Sequence, residues 1–139
     1  MIVIDELVYP EFDNNYLSSF EVDGLTWISS EQYYQASKFA DHTQYMYIHS
    51  LTDPSLIYSE GRSAAHRKID NWTDRRFELM YEANIAKIRQ NTTLATKLKN
   101  TSGEIRYVSH SDVFWGCGTL TRKGENMLGK VLMKVREQL

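Results

Sequence analysis

Apolar and polar positions along this chain repeat with periods that mark most of its secondary structure. MIVIDELVY, residues 1–9, alternates enough to predict a short strand, and FEVDGLTWIS, residues 20–29, predicts a hairpin turning at Asp23-Gly24. Helical signals then take over. Ser29 and Gln32 have the spacing of a capping box, which predicts a helix from about Ser30 to Phe39. Asp53-Pro54 supplies a cap residue followed by proline at the first helical position, and the helix it opens should run towards Glu60. After Trp72, the apolar set Phe77, Met80, Tyr81, Ile85 and Ile88 recurs at helical spacing, with Glu78, Glu82, Lys87 and Arg89 between, predicting one long amphipathic helix. TTLATKLKN reads as a short helix and GEIRYVS as a strand. From about Gly124, Leu128, Val131, Leu132, Val135 and Leu139 describe a last amphipathic helix.

A chain of 139 residues with 42% hydrophobic content fits one domain, here taken as 1–139. The expected class is α+β, mostly helical, with a small β-sheet. No apolar run reaches the roughly 20 residues of a membrane helix, and the start lacks the pattern of a signal peptide, so a cytoplasmic protein is expected. Cys117 is the single cysteine, and His42, His49, His66 and His110 show no metal-ligand spacing; no metal or cofactor is expected.

Charge is distributed unevenly. Residues 1–60 hold ten acids against one base, Lys38, for a net charge of −9, whereas the remaining 79 hold eight acids and fifteen bases, for +7. The basic part would either dock a phosphate or pair its solvated helix faces with the acidic part. It carries no recognisable DNA-reading motif. Lys38, isolated among carboxylates, either neutralises them or has chemistry to perform.

Two stretches concentrate candidate chemistry. In SSEQYYQASKF, residues 29–39, helical spacing places Glu31, Gln35 and Lys38 on one stripe, as either a solvent-facing edge or a polar groove. SDVFWGCGTL, residues 111–120, lies between the last strand and the last helix. There Asp112 by itself reads as a turn carboxylate and Phe114 as core, while Trp115 suits either packing or a wall for a flat base. Gly116 and Gly118 allow a sharp turn or close approach to a ligand.

YLSSF, SSEQYYQASKF, the Gly61-Arg62 pair, NWTDRRFELM, SDVFWGCG and GENMLGKVLMKVREQL occur in the order and spacing of the YbiA-like family, also called NADAR domains, which the chain resembles over nearly its whole length. Ser19 stands where the family commonly has asparagine, and Tyr107 where it commonly has glutamate. The resemblance implies an N-glycosidase that hydrolyses the bond between a base nitrogen and C1 of a ribose phosphate. Early intermediates of riboflavin biosynthesis would be the substrates, with ribose 5-phosphate released. Alternatives are removal of ADP-ribose from guanine bases, and a module that binds ADP-ribose or a nucleotide without cleaving it. The partner is a small ribose-phosphate or ADP-ribosyl molecule, with nucleic acid entering only as an ADP-ribosylated substrate.

Cleaving an N-glycosidic bond builds oxocarbenium charge at C1 and negative charge on the leaving base. The resemblance nominates Glu31 and Asp112 as the two carboxylates, their roles left open between them, and Lys38 as a third catalytic group. Lys38 would either position Glu31 or, as a neutral amine, attack C1 and form a Schiff base; direct attack by water is the default expectation. Trp72 and Trp115 would hold the base, with Gly116 beside them. Arg62 and Arg76 suit phosphate contacts, and Asn126, opening the last helix, suits the ribose phosphate.

Overall fold

The computed structural model describes residues 1–5, 8–109, 111–118 and 124–139. Residues 6 and 7 of the expected first strand, and His110, lie outside the described residues. The order is β1 (Ile2–Ile4), a 3-10 turn (Pro10–Phe12), β2 (Phe20–Val22), β3 (Leu25–Trp27), α1 (Ser30–Ser37), α2 (His42–Ser50), α3 (Pro54–Gly61), α4 (Trp72–Arg89), α5 (Thr92–Lys99), β4 (Ile105–Tyr107) and α6 (Met127–Glu137). This is a mostly helical α+β arrangement. Its strands form two separate pairs: β1 with β4 in parallel and β2 with β3 antiparallel.

Local sequence accounts for most of these elements. Asp23 and Gly24 both adopt positive φ, 53° and 80°, as a two-residue hairpin requires, and the turn pairs Phe20 with Trp27. At α1, Ser29 Oγ accepts from the Gln32 amide at 3.1 Å, as the capping spacing predicts. Gln32 also does more: its Oε1 accepts from Ile28 N–H, and its Nε2 faces the carbonyls of Ile48, His49 and Leu51 at 2.9–3.1 Å. One buried side chain thus joins the start of α1 to the carbonyls where α2 ends, of which that of Ile48 also accepts from the Leu51 N–H.

α2 was not expected. Its sequence, HTQYMYIHS, has no apolar stripe, and only Gln44 and Ile48 are buried. Capping by Asp41, whose Oδ1 accepts from Thr43 N–H, and packing against α1 and α3 make it a helix. α4 corrects a second expectation. Lys87, read as one of its polar spacers, is fully buried at 0% exposure, and its Nζ donates to the Asp13 carbonyl at 3.0 Å. α6 begins at Met127, after Asn126 in the left-handed conformation, rather than near Gly124.

Two apolar clusters form the core. Ile4, Phe12, Leu79, Met80, Ile88, Ile105, Leu128 and Leu132 belong to one, and Phe20, Trp27, Tyr33, Phe39, Ile48 and Ile57 to the other. α1 and α4 contribute to both, Tyr34 and Met80 on one side, Ala36 and Ala83 on the other. These two packed helices are the frame on which the site is built.

Candidate active site

A cavity of about 610 Å³ opens along one side of α1, within the range of small-molecule sites. α1 supplies Glu31, Tyr34, Gln35 and Lys38. Tyr58 and Arg62 come from α3 and its end, Trp72 and Arg76 from the first turns of α4, and Asp13, Asn14 and Asn15 from the loop before β2. Tyr107 and Ser109 at the end of β4, with Ser111 to Trp115 in the turn that follows, complete the wall.

Of the residues singled out from sequence, Glu31, Lys38, Asp112, Trp72, Trp115, Arg62 and Arg76 come together here. Gly116 and Asn126 do not line the cavity. Gly116 is buried, and a Cβ built on it would lie 2.7 Å from Ser109 Cβ and 3.0 Å from the Asp112 carbonyl oxygen. Its small size lets the turn lie flat against the end of β4. The Asn126 side chain is engaged with β4, accepting from Tyr107 N–H at 2.8 Å and donating to the Ile105 carbonyl at 2.9 Å. Its amide ties α6 to the strand, so a ribose-phosphate contact does not fit its geometry. Ser19 is exposed and outside the lining, whereas Asn14 and Asn15 are part of it.

Glu31 sits in the first turn of α1. Its backbone N–H donates to the Asn14 carbonyl at 3.0 Å, and its carboxylate accepts from Gln35 Nε2 at 2.5 Å. Burial pushes its pKa up; the Gln35 hydrogen bond and Lys38 oppose, and the charges of Asp13 and Asp112 add to the rise.

Lys38 follows the last turn of α1 and is 6% exposed. Its Nζ lies 4.9 Å from the ring centroids of both Tyr34 and Trp72, an aromatic clamp that favours the ammonium. Burial nevertheless pushes its pKa down to about 8; Glu31 resists, and Lys68, Arg62 and Arg76 assist. The isolation of Lys38 in the sequence is therefore misleading, because the fold surrounds it with cations from the basic part of the chain.

Asp112 opens a tight turn. Its Oδ1 accepts from the amides of Phe114 at 3.0 Å and Trp115 at 2.8 Å, while its own N–H donates to Ser109 Oγ. It is thus a turn carboxylate and a cavity residue at once. The turn brings Phe114, expected in the core, to the wall, where the Arg76 guanidinium lies 3.4 Å from its ring centroid. Trp115 stands edge-on to Tyr34 with centroids 5.3 Å apart. Arg62 donates to Tyr58 OH at 3.2 Å, at the exposed rim.

Sequence reasoning missed Asp13, Asn14, Asn15, Tyr34, Tyr58 and Ser109. Tyr34 was within reach, since it completes the i, i+3, i+4, i+7 stripe begun by Glu31. Tyr58 precedes Arg62 by one helical turn. The Asp13–Asn15 run carries no periodicity; its place is fixed by Lys87, and by Asn84 and Ser30, which both donate to Asn14 Oδ1.

The fold and cavity define a single-domain α+β protein in which partly buried acids, an enclosed lysine and flanking guanidinium groups face one ligand-sized space. The chain belongs to the NADAR domain family, whose profile matches residues 6–139. It is 35% identical over 133 residues to the N-glycosidase YbiA of Escherichia coli, covering 94% of this chain and 82% of that protein. A riboflavin biosynthesis protein of Vibrio vulnificus is 39% identical over 127 residues, covering 91% of this chain and 34% of the relative. The NMR structure of Escherichia coli YbiA superposes with a TM-score of 0.87 at 32% identity, over 99% of this chain and 83% of that one.

Proposed function

We propose that this protein is an N-glycosidase that hydrolyses the base-to-ribose C–N bond of phosphoribosylamino-pyrimidine intermediates of riboflavin biosynthesis, releasing ribose 5-phosphate. One observation carries the reading: Glu31, Lys38 and Asp112 share a cavity with Arg62 and Arg76, although the sequence spreads them over 82 positions. The names of the relatives support the same class of reaction.

Glu31, whose burial favours the protonated acid, gives its proton to the departing base nitrogen as the C1–N bond breaks. Asp112 faces the sugar, stabilises the positive charge at C1 and takes a proton from the attacking water, whose oxygen forms the new bond to C1. Moving that proton from Asp112 to Glu31 through solvent resets the pair. In this scheme Lys38, whose pKa burial pushes down to about 8, stands beside Glu31 as a positioning charge, and water is the nucleophile. Trp72 holds the ammonium, Trp115 walls the base, and Arg62 and Arg76 receive the phosphate.

A second reading, removal of ADP-ribose from guanine, has one observation in its favour. A further cleft of about 290 Å³ adjoins the cavity at Glu31, Asn15 and Tyr58 and gives room for a larger phosphorylated group. Incubation with each early aminopyrimidine ribotide and with ADP-ribosyl-guanosine, followed by chromatography for released base, tests both readings. Release from the ribotide supports the first and release of guanine the second; no release from any substrate overturns both.

A further inference from the structure

Gln35 has no part in the proton transfers above, yet its setting differs from that of a packing residue. It is 3% exposed and lies one helical turn beyond Glu31, to whose Oε1 its Nε2 donates at 2.5 Å. Its other amide atom, Oε1, is buried and has no hydrogen-bond partner among the described residues. A glutamine that served only to fill space would avoid that cost.

The reason lies on α3. A Cβ built on Gly61 would fall 1.9 Å from Gln35 Oε1 and 2.5 Å from its Cδ. The glutamine amide therefore occupies space that exists only because residue 61 is glycine. With α1 on one side and the Gly61 backbone on the other, the amide is wedged with its donor end aimed at the carboxylate and its acceptor end left orphaned.

We propose, on the reading that Glu31 is the acid of this site, that Gln35 is a positioning residue which orients the Glu31 carboxylate and sets its proton affinity, with Gly61 as the backstop that holds it in place. The groups facing Glu31 support this division of labour. Lys38 and Tyr34 on α1, Asp13 from the loop before β2, Tyr58 and Arg62 from α3 and its end, Arg76 from α4 and Asp112 from the turn all share its cavity. Burial, Asp13 and Asp112 raise its proton affinity, whereas Gln35 leads the opposing influences, ahead of Lys38. Removing the amide should therefore make Glu31 harder to ionise.

The test reads Glu31 directly, without catalysis: a pH titration of glutamate carboxyl ¹³C shifts by NMR, with the Glu31 signal assigned through Glu31→Gln. Gln35→Met keeps the length and volume of the side chain but has no donor, and should raise the Glu31 midpoint by about one pH unit. Gly61→Ala retains the glutamine but displaces it; it should move the midpoint the same way, and it carries the test should Gln35→Met not fold. In kinetics, the limb of the kcat/KM profile governed by Glu31 should shift to higher pH in step with the NMR midpoint. An unchanged midpoint in Gln35→Met overturns the proposal, and an unchanged one in Gly61→Ala overturns the backstop. Midpoints that move in a protein that cleaves none of the substrates would uphold the role of Gln35 and remove the glycosidase reading instead.

Discussion

Asp112→Asn separates chemistry from architecture at the turn after β4. In the native turn, Asp112 Oδ1 accepts from two backbone amides, those of Phe114 and Trp115. Asparagine has the same shape and keeps an oxygen in that place, so both bonds persist as neutral ones. A hydrogen bond to a charged group contributes about 1 kcal/mol more than a neutral one, so two of them set an upper bound of about 2 kcal/mol. Asp112 is only partly buried, and solvent reduces the loss to about 1 kcal/mol. Against a typical total of about 5–15 kcal/mol, the variant stays almost entirely folded. Loss of the carboxylate from the reaction should lower turnover about a hundredfold or more, equivalent to about 2.7 kcal/mol in the barrier. Urea denaturation and steady-state kinetics on one preparation measure both quantities. Asp112→Ala, which also removes both turn bonds, should lose more stability than Asp112→Asn. An Asp112→Asn enzyme that turns over like the wild type would refute a catalytic role and leave Asp112 as a turn residue only.

Lys38→Arg keeps a charge between Tyr34 and Trp72, and should retain appreciable activity with no sugar adduct trapped by borohydride during wild-type turnover. A Lys38 adduct seen by peptide mass spectrometry would establish the covalent route in place of water, because guanidinium cannot replace a nucleophilic amine. Stability should rise with pH above about 8. Burial holds the folded pKa of both Lys38 and Lys87 near 8, below the ordinary 10.5, so between these values the unfolded chain binds more protons and deprotonation favours the fold. Tyr33, held at about 12 by burial and Glu82, and Tyr34, raised further by burial, reverse the slope once unfolded tyrosines ionise near pH 10. Denaturation midpoints measured from pH 7.5 to 11 should therefore pass through a maximum near pH 10; a flat profile would contradict the buried state of the two lysines.

Sequence alone determined those elements whose causes are local. Ser29 and Gln32 marked the start of α1, Asp53-Pro54 that of α3, and Asp23-Gly24 the hairpin, because a cap, a fixed proline φ and a positive-φ turn act within a few residues. The stripe of Glu31, Gln35 and Lys38 was legible for the same reason, since helical spacing alone puts them on one face. Motif order also carried the family and the nomination of Asp112. Tertiary structure decided the rest. α2 has no periodic signal and exists because Gln32 and its packed neighbours hold it. Lys87, polar in type and position, became core because α4 is pressed against the loop whose Asp13 carbonyl it meets. Asn126 turned from a ligand candidate into a tie to β4, and Phe114 from core into a wall under Arg76. The proton affinities were furthest from the sequence. An acidic neighbourhood along the chain suggests a raised Lys38 pKa, yet desolvation and cations brought in from residues 62, 68 and 76 lower it, because electrostatics follows distance and burial in space rather than order along the chain.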